Sequence, residues 1–205
     1  MHDLVGALNE ALGRRLPAAF RPGSAGVAYL TLADRSVSVL DLDGTYSLSF
    51  GWRGRQQAHG SVSDPAAIAD AARRWVEGAG LESLAAAHPF VKYSGLQLAY
   101  ERGNALDYQW AALLEAVDGD YSSFRELAVL ASQNEVLRRL FPQWGHRLAL
   151  FPDEFSDRIL VAVFAHRPGW YVVYAPGDDP SVEFEGAADR MVDYLVTRFR
   201  DQTGS

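Results

Sequence analysis

Residues 37–50, VSVLDLDGTYSLSF, carry the pattern that decides the fold. Val37 and Val39 alternate with serine, and Tyr46, Leu48 and Phe50 alternate with polar or small residues. Such a period of two predicts strands with one face turned to a core. Between the runs, Asp41-Leu42-Asp43-Gly44 supplies the turn, and Asp43-Gly44 is a hairpin signal because both positions tolerate positive φ. Upstream, Val27, Tyr29 and Thr31 alternate with small residues, and Asp34-Arg35 predicts another turn. Downstream, Gln56–Val62 fits a fourth strand. Together these runs predict an antiparallel meander.

A helix follows at once. Asp64 suits its N-cap and Pro65 its first position. Ile68, Ala71, Ala72, Trp75 and Val76 then form one apolar stripe, ended by Gly78 and Gly80. Ahead of the meander, residues 3–16 read as a short amphipathic helix on Val5, Leu8, Leu12 and Leu16. A short helix is expected over 81–87, and the stripe Trp110, Leu113, Leu114 and Val117 predicts another. Ser123-Phe124-Arg125-Glu126 fits a capping box, and Asn134 suits the cap of a last short helix carrying Leu137, Leu140 and Phe141, stopped by Pro142.

Strands then return. Leu148 and Leu150 lie in one, and 159–164 is nearly all apolar, as in a central strand buried on both faces. Trp170–Tyr174 runs back after Arg167-Pro168-Gly169, and 182–184 fits an edge strand. The closing helix, 187–200, places Ala188, Met191, Val192, Leu195 and Phe199 on one face. The expected fold class is therefore α+β: two antiparallel β-meanders, each followed by an amphipathic helix and separated by a helical middle. One domain over 1–205 is expected, with sub-regions 1–80, 81–142 and 143–205. The two meander–helix segments share a plan, without enough identity to claim a duplication.

Composition narrows the chemistry. The chain has 205 residues, 48% of them hydrophobic, which suffices for a folded core. It has no cysteine, so disulfides, thiolate metal sites and a cysteine nucleophile are excluded. The net charge of −7 disfavours nucleic acid or an anionic membrane surface as partner. No apolar run reaches a membrane span, and Met1-His2-Asp3-Leu4 lacks the basic start of a signal peptide, so a cytoplasmic location is expected. Lys92 is the sole lysine, which leaves Schiff-base chemistry one candidate with nothing beside it.

The five histidines, His2, His59, His88, His146 and His166, show no i, i+4 pair and no HExxH or HxH spacing. No metal or other cofactor is expected. His146 stands out because it follows Trp144-Gly145 and precedes a strand, with Asp153, Glu154 and Asp157 in the next loop. A histidine beside carboxylates is suited to general base work. His146, Asp153 and Asp157 are thus the candidate catalytic residues, weighed against a plain solvated loop. Trp144, Trp170 and Tyr171 are candidate ligand-binding residues, being aromatic side chains at element ends. No serine lies in a GxSxG elbow, and neither a phosphate-binding nor a dinucleotide-binding glycine motif occurs. Gly51-Trp52-Arg53-Gly54-Arg55 puts two arginines at a hairpin end, where an anion can bind or where the tip is merely basic.

The order of several segments carries a resemblance. Leu81 and Leu84 precede His88-Pro89-Phe90-Val91; Trp110-Ala111-Ala112-Leu113-Leu114 follows; Leu137-Arg138-Arg139-Leu140-Phe141-Pro142 then leads to Phe151. This order resembles the DUF6193 family of bacterial proteins, often labelled natural-product biosynthesis proteins, over about residues 60–200. The resemblance implies an association with a biosynthetic pathway. It implies no reaction and no catalytic residues. Three functions are therefore expected in competition: an accessory or binding protein for a small molecule or peptide of such a pathway, an acid–base or hydrolytic enzyme at His146, and a protein-interaction module of the immunity or chaperone kind.

Overall fold

The computed structural model describes residues 4–13, 16–175 and 181–203. The chain divides into two compact units, the first ending at Gly103 and the second beginning at Asn104. The helical middle is thereby shared between them rather than forming a region of its own.

The first unit opens with α1 (Leu4–Leu12), then runs through β1 (Arg21–Pro22), β2 (Val27–Leu32), β3 (Arg35–Leu42), β4 (Thr45–Trp52) and β5 (Arg55–Val62). Next come α2 (Pro65–Val76), α3 (Leu81–Ala87), the two-residue β6 (Val91–Lys92) and α4 (Gly95–Arg102). The six strands form one antiparallel sheet in sequence order. The β3–β4 turn is Asp43-Gly44, with φ of 53° and 88°, the pair of left-handed positions that a tight hairpin demands. Gly60 of β5 lies under the chain after α3; a Cβ there would stand 2.8 Å from the Phe90 carbonyl oxygen.

The register decides which face of this sheet is apolar. Ala28 pairs with Val39 and Leu30 with Val37, so Ala28 and Leu30 are the buried residues of β2. The bulkier alternation of Val27, Tyr29 and Thr31 faces outward instead, and Tyr29 is exposed. Ser36, Ser38, Ser47 and Ser49 share that polar face, as the alternation in 37–50 requires.

Helix α2 covers the apolar face. Asp64 caps it by accepting hydrogen bonds from the Ala66 and Ala67 amides at 2.9 and 3.3 Å. Trp75 is the anchor. Its indole Nε1 donates to the Gly51 carbonyl at 3.1 Å, and its ring meets Phe50 edge-on with centroids 6.1 Å apart. From β3, the Arg35 guanidinium lies 4.2 Å above the Trp75 ring and donates through Nη1 to the carbonyls of Trp75 and Ala79 at 2.9 and 2.6 Å. Arg35 thus satisfies carbonyls at and beyond the C-terminal end of α2 with a positive charge, where the helix dipole favours one.

The second unit comprises α5 (Ala105–Ala116), α6 (Arg125–Gln133), β7 (Phe141–Trp144), β8 (Leu148–Phe151), β9 (Val161–Arg167), β10 (Trp170–Tyr174), β11 (Val182–Ala187) and α7 (Ala188–Thr203). Its strands form an antiparallel sheet ordered β11-β10-β9-β8-β7, with β9 central and β11 at an edge, as expected; β9 is not buried on both faces as its apolar run predicts, since Val161 and Val163 are buried while Ala162 and Phe164 are half-buried. Leu148, Leu150, Val161, Val163, Tyr171 and Val173 build its core together with residues of α5, α6 and α7. The Trp110 indole of α5 donates to the carbonyls of Arg138 and Leu140, each at 3.1 Å.

Two local expectations are corrected here. Ser123 makes no capping box: a 3-10 turn over Ser122–Phe124 leads into α6, whose N-cap is Phe124 without a side-chain hydrogen bond. Pro142 does not stop a helix. Asn134 does cap a turn, accepting from the Val136 and Leu137 amides, but Phe141–Trp144 continues as β7. Edge strands tolerate proline because one side of their backbone has no ladder to serve.

The outer face of α2 carries a charge cluster. Asp70 pairs with Arg73 at 2.6 Å and Arg74 at 2.8 Å, and Arg73 also reaches Glu77 at 2.7 Å. His88 Nε2 stands 3.1 Å from the same Asp70 carboxylate, without hydrogen-bond alignment. The Arg74 and Arg73 guanidinium groups hold the Asp70 carboxyl down at about 2, from an ordinary 3.8.

Two outcomes follow from these contacts. Arg35→Gln is expected to destabilise the first unit by about 1–3 kcal/mol, the scale of lost charged hydrogen bonds, measured by urea unfolding. Because Asp70 is depressed, the unfolded chain takes up its proton near 3.8 and the folded chain near 2. Its stabilisation is therefore complete above 3.8 and disappears as the pH falls through 2. Asp70→Asn should be less stable than the parent at pH 7, with the gap closing across that window in an acid titration of the unfolding midpoint.

Candidate functional site

The residues singled out by sequence do not converge. His146 lies exposed in the turn between β7 and β8, whereas Asp153 and Asp157 follow the far end of β8. At about 3.3 Å per residue, β8 alone separates the two ends by roughly 10 Å. His146 and Asp153 therefore stand at opposite ends of β8, a span longer than a direct hydrogen bond. Asp153 instead closes its own loop, accepting from the Phe155 amide at 2.8 Å. A shallow concavity of about 310 Å³ does exist at His146, lined also by Gln143, Trp144, Arg147 and Phe151, and neither aspartate lines it.

The aromatic candidates separate in the same way. Trp144 is half-buried and packs on the second core. Trp170 is half-buried, with the Arg167 guanidinium 5.2 Å from its ring. Tyr171 is wholly buried, its ring stacked on Phe124 with centroids 6.3 Å apart. It is a core residue and offers no surface to a ligand. Its hydroxyl, near the Leu127 amide of α6, lacks a hydrogen bond of good geometry, and burial pushes its pKa up. At the Gly51–Arg55 hairpin the two arginines go separate ways: the Arg53 guanidinium is 5.9 Å from the Trp52 ring, and that of Arg55 is 6.0 Å from the Tyr100 ring. Among the described residues no three histidine or carboxylate side chains gather as a metal site would need.

The second unit holds two larger concavities. One, of about 430 Å³, is an open groove between α6 and the start of α7, with Val129 and Leu130 on its wall. The other, of about 420 Å³, is more enclosed. It sits at the end of the sheet where β9 begins and β10 stops, and α7 closes its side. Arg158, Ile159, Leu160, Val173, Tyr174 and Arg198 line it. Antiparallel pairing brings the start of β9 beside the end of β10. The Leu160 amide donates to the Leu150 carbonyl at 2.9 Å and pins the entering chain. Phe164 holds the Tyr174 ring edge-on at 5.5 Å.

Beside this cleft, the Arg198 guanidinium and the Tyr194 hydroxyl of α7 both bind Glu183 of β11. Tyr194 is kept in place by Phe184, whose ring stacks on it at 4.4 Å and 6°. Arg198, and then Tyr194, hold the Glu183 carboxyl below its usual range, so it is an anion at neutral pH. Burial pushes the Tyr194 hydroxyl up, aided by Glu183. Among the described residues, the cleft lining has two arginines and a tyrosine as its titratable groups.

None of these cleft residues was singled out by the sequence. The i, i+4 spacing of Tyr194 and Arg198 is legible on a predicted helix, but their partner lies on another element, the strand β11.

Tyr171→Phe removes a buried hydroxyl that lacks a well-formed bond. It is expected to leave stability unchanged or raise it by up to about 1 kcal/mol. A loss of more than about 1 kcal/mol in urea unfolding would show that the hydroxyl is bonded to α6.

Set against known proteins, the chain matches no family model, no curated protein and no solved structure.

Proposed function

We propose that the chain is a binding protein for a small molecule, seated in the cleft at the end of the second sheet. The observation that carries this reading is the cleft itself: about 420 Å³, partly enclosed, more apolar than polar, with a few polar groups on its wall. Small-molecule sites have this size and composition. Binding is favoured over turnover by the described lining, in which two guanidinium groups stand among apolar side chains. The placing of His146 before β8 and of Asp153 after it also favours binding over an acid–base site there.

The resemblance to the DUF6193 family supports an accessory role in bacterial natural-product biosynthesis, in which the ligand is an intermediate or peptide fragment of the pathway. Among the described residues no helix is long and apolar enough to cross a membrane, and the acidic net charge argues against nucleic acid as the partner.

The test is a fragment screen by protein-observed NMR, followed by calorimetry against the intermediates made by neighbouring genes. Bound compounds are expected to shift the amides of Ile159, Leu160 and Tyr174. Ile159→Trp fills the cleft from an exposed position and should reduce binding at least tenfold without lowering the unfolding midpoint. Hits that map elsewhere, or that bind the Trp variant equally well, would overturn the assignment.

A further inference from the structure

The hydrogen bonds around Arg198 define what kind of molecule the cleft prefers. Its side chain is mostly buried, with 23% exposed. Nη1 makes both of its bonds, to Glu183 Oε1 and to the Tyr194 hydroxyl, the latter at 2.8 Å. Tyr194 in turn donates to the same Glu183 oxygen at 2.6 Å. One end of the guanidinium is therefore committed to a closed triangle of side chains. Nε is buried and has no hydrogen-bond partner among the described residues.

A guanidinium is planar and presents its donors as forks. Nη1 belongs to the end fork with Nη2, whereas Nε and Nη2 make up the side fork. With Nη1 taken, the side fork is the one left with an unsatisfied donor. Two parallel N–H groups of this kind match the two oxygens of a carboxylate better than any neutral acceptor.

The rest of the lining agrees. Arg158 brings a second guanidinium to the same cleft from an exposed position and pairs with no carboxylate among the described residues. Glu183 offsets a single positive charge through its Oε1, so among the described residues of the lining and its Glu183 partner the two guanidinium groups outnumber the carboxylate. The remaining wall is Ile159, Leu160, Val173 and the ring of Tyr174. Such a wall suits an apolar body rather than a sugar or a polyphosphate.

We propose that the cleft binds a small amphiphilic carboxylate: an aliphatic or aryl body held against Ile159, Leu160 and Tyr174, with its carboxylate on the Nε–Nη2 edge of Arg198 and Arg158 as the second cation. This rests on the reading of the cleft as a small-molecule site and adds the chemistry of the ligand. Glu183 and Tyr194 serve as positioning residues that fix the plane of the guanidinium.

The test uses four probes on the full chain: octanoate, 4-phenylbutyrate and their alcohols, octan-1-ol and 4-phenylbutan-1-ol. Calorimetry is expected to show each acid binding at least tenfold more tightly than its alcohol, with the difference shrinking as salt is raised. Arg198→Lys keeps the charge and removes the fork; Arg158→Gln removes the second cation and touches none of the Glu183 network. Each should weaken the acids at least fivefold and leave the alcohols unchanged. If Arg198→Lys loses its fold, Arg158→Gln alone decides. Acids and alcohols that bind the cleft equally, and equally in the variants, would overturn the carboxylate proposal while leaving the small-molecule site intact. Absence of binding by all four probes would count against both.

Discussion

Both units depend on one constraint: an antiparallel meander presents an apolar face, and something must cover it. Here the cover follows the last long strand of each meander directly. In the first unit α2 starts two residues after β5, and in the second α7 starts where β11 ends. The apolar stripe of each helix matches an apolar face whose residues alternate along the strands. In the first unit the fit is fixed by Trp75, which packs on Phe50 and binds the sheet backbone through its indole. In the second, Met191 and Leu195 are buried in the core that Val163 and Tyr171 share.

Two arginines show how the same side chain can serve structure or function. Arg35 reaches from strand to helix and spends its charge on backbone carbonyls and an aromatic ring. Its role is complete within the fold. Arg198 reaches from helix to strand and is only half used, since Glu183 and Tyr194 engage one nitrogen and a second stays buried without a partner among the described residues. Buried donors are normally satisfied. An unsatisfied one on the wall of a cleft is a reason to look for a ligand acceptor there, and the apolar lining says what the rest of that ligand resembles.

The position of the cleft also has a structural cause. A sheet and a helix packed face to face diverge at the ends of the strands, where side chains no longer fill the gap. At the end where β9 begins, the incoming segment brings Arg158 and Ile159 to the rim, and α7 supplies Arg198 from its last turns. Rim residues of this kind are freed from core packing and from the ladder at once. Binding groups can stand there without destabilising the scaffold beneath them.

The elements themselves were legible in the sequence, because they rest on local rules. The alternation in 37–50, the Asp43-Gly44 turn, the Asp64 cap and the stripe through Trp75 each express a preference spanning a few residues. Other features rest on pairing across the chain. The inward face of β2 is set by its register with β3, which is why small Ala28 is buried and large Tyr29 is not. Phe141–Trp144 is a strand because β8 stands beside it, despite its proline. His146 and Asp153 look adjacent along the chain, yet an extended strand carries them apart. Arg158 and Arg198 lie forty positions apart, yet line one cleft. Sequence determined the periodicities and hence the α+β plan; tertiary structure alone decided the site, because a site is made of distances between side chains that no local preference encodes.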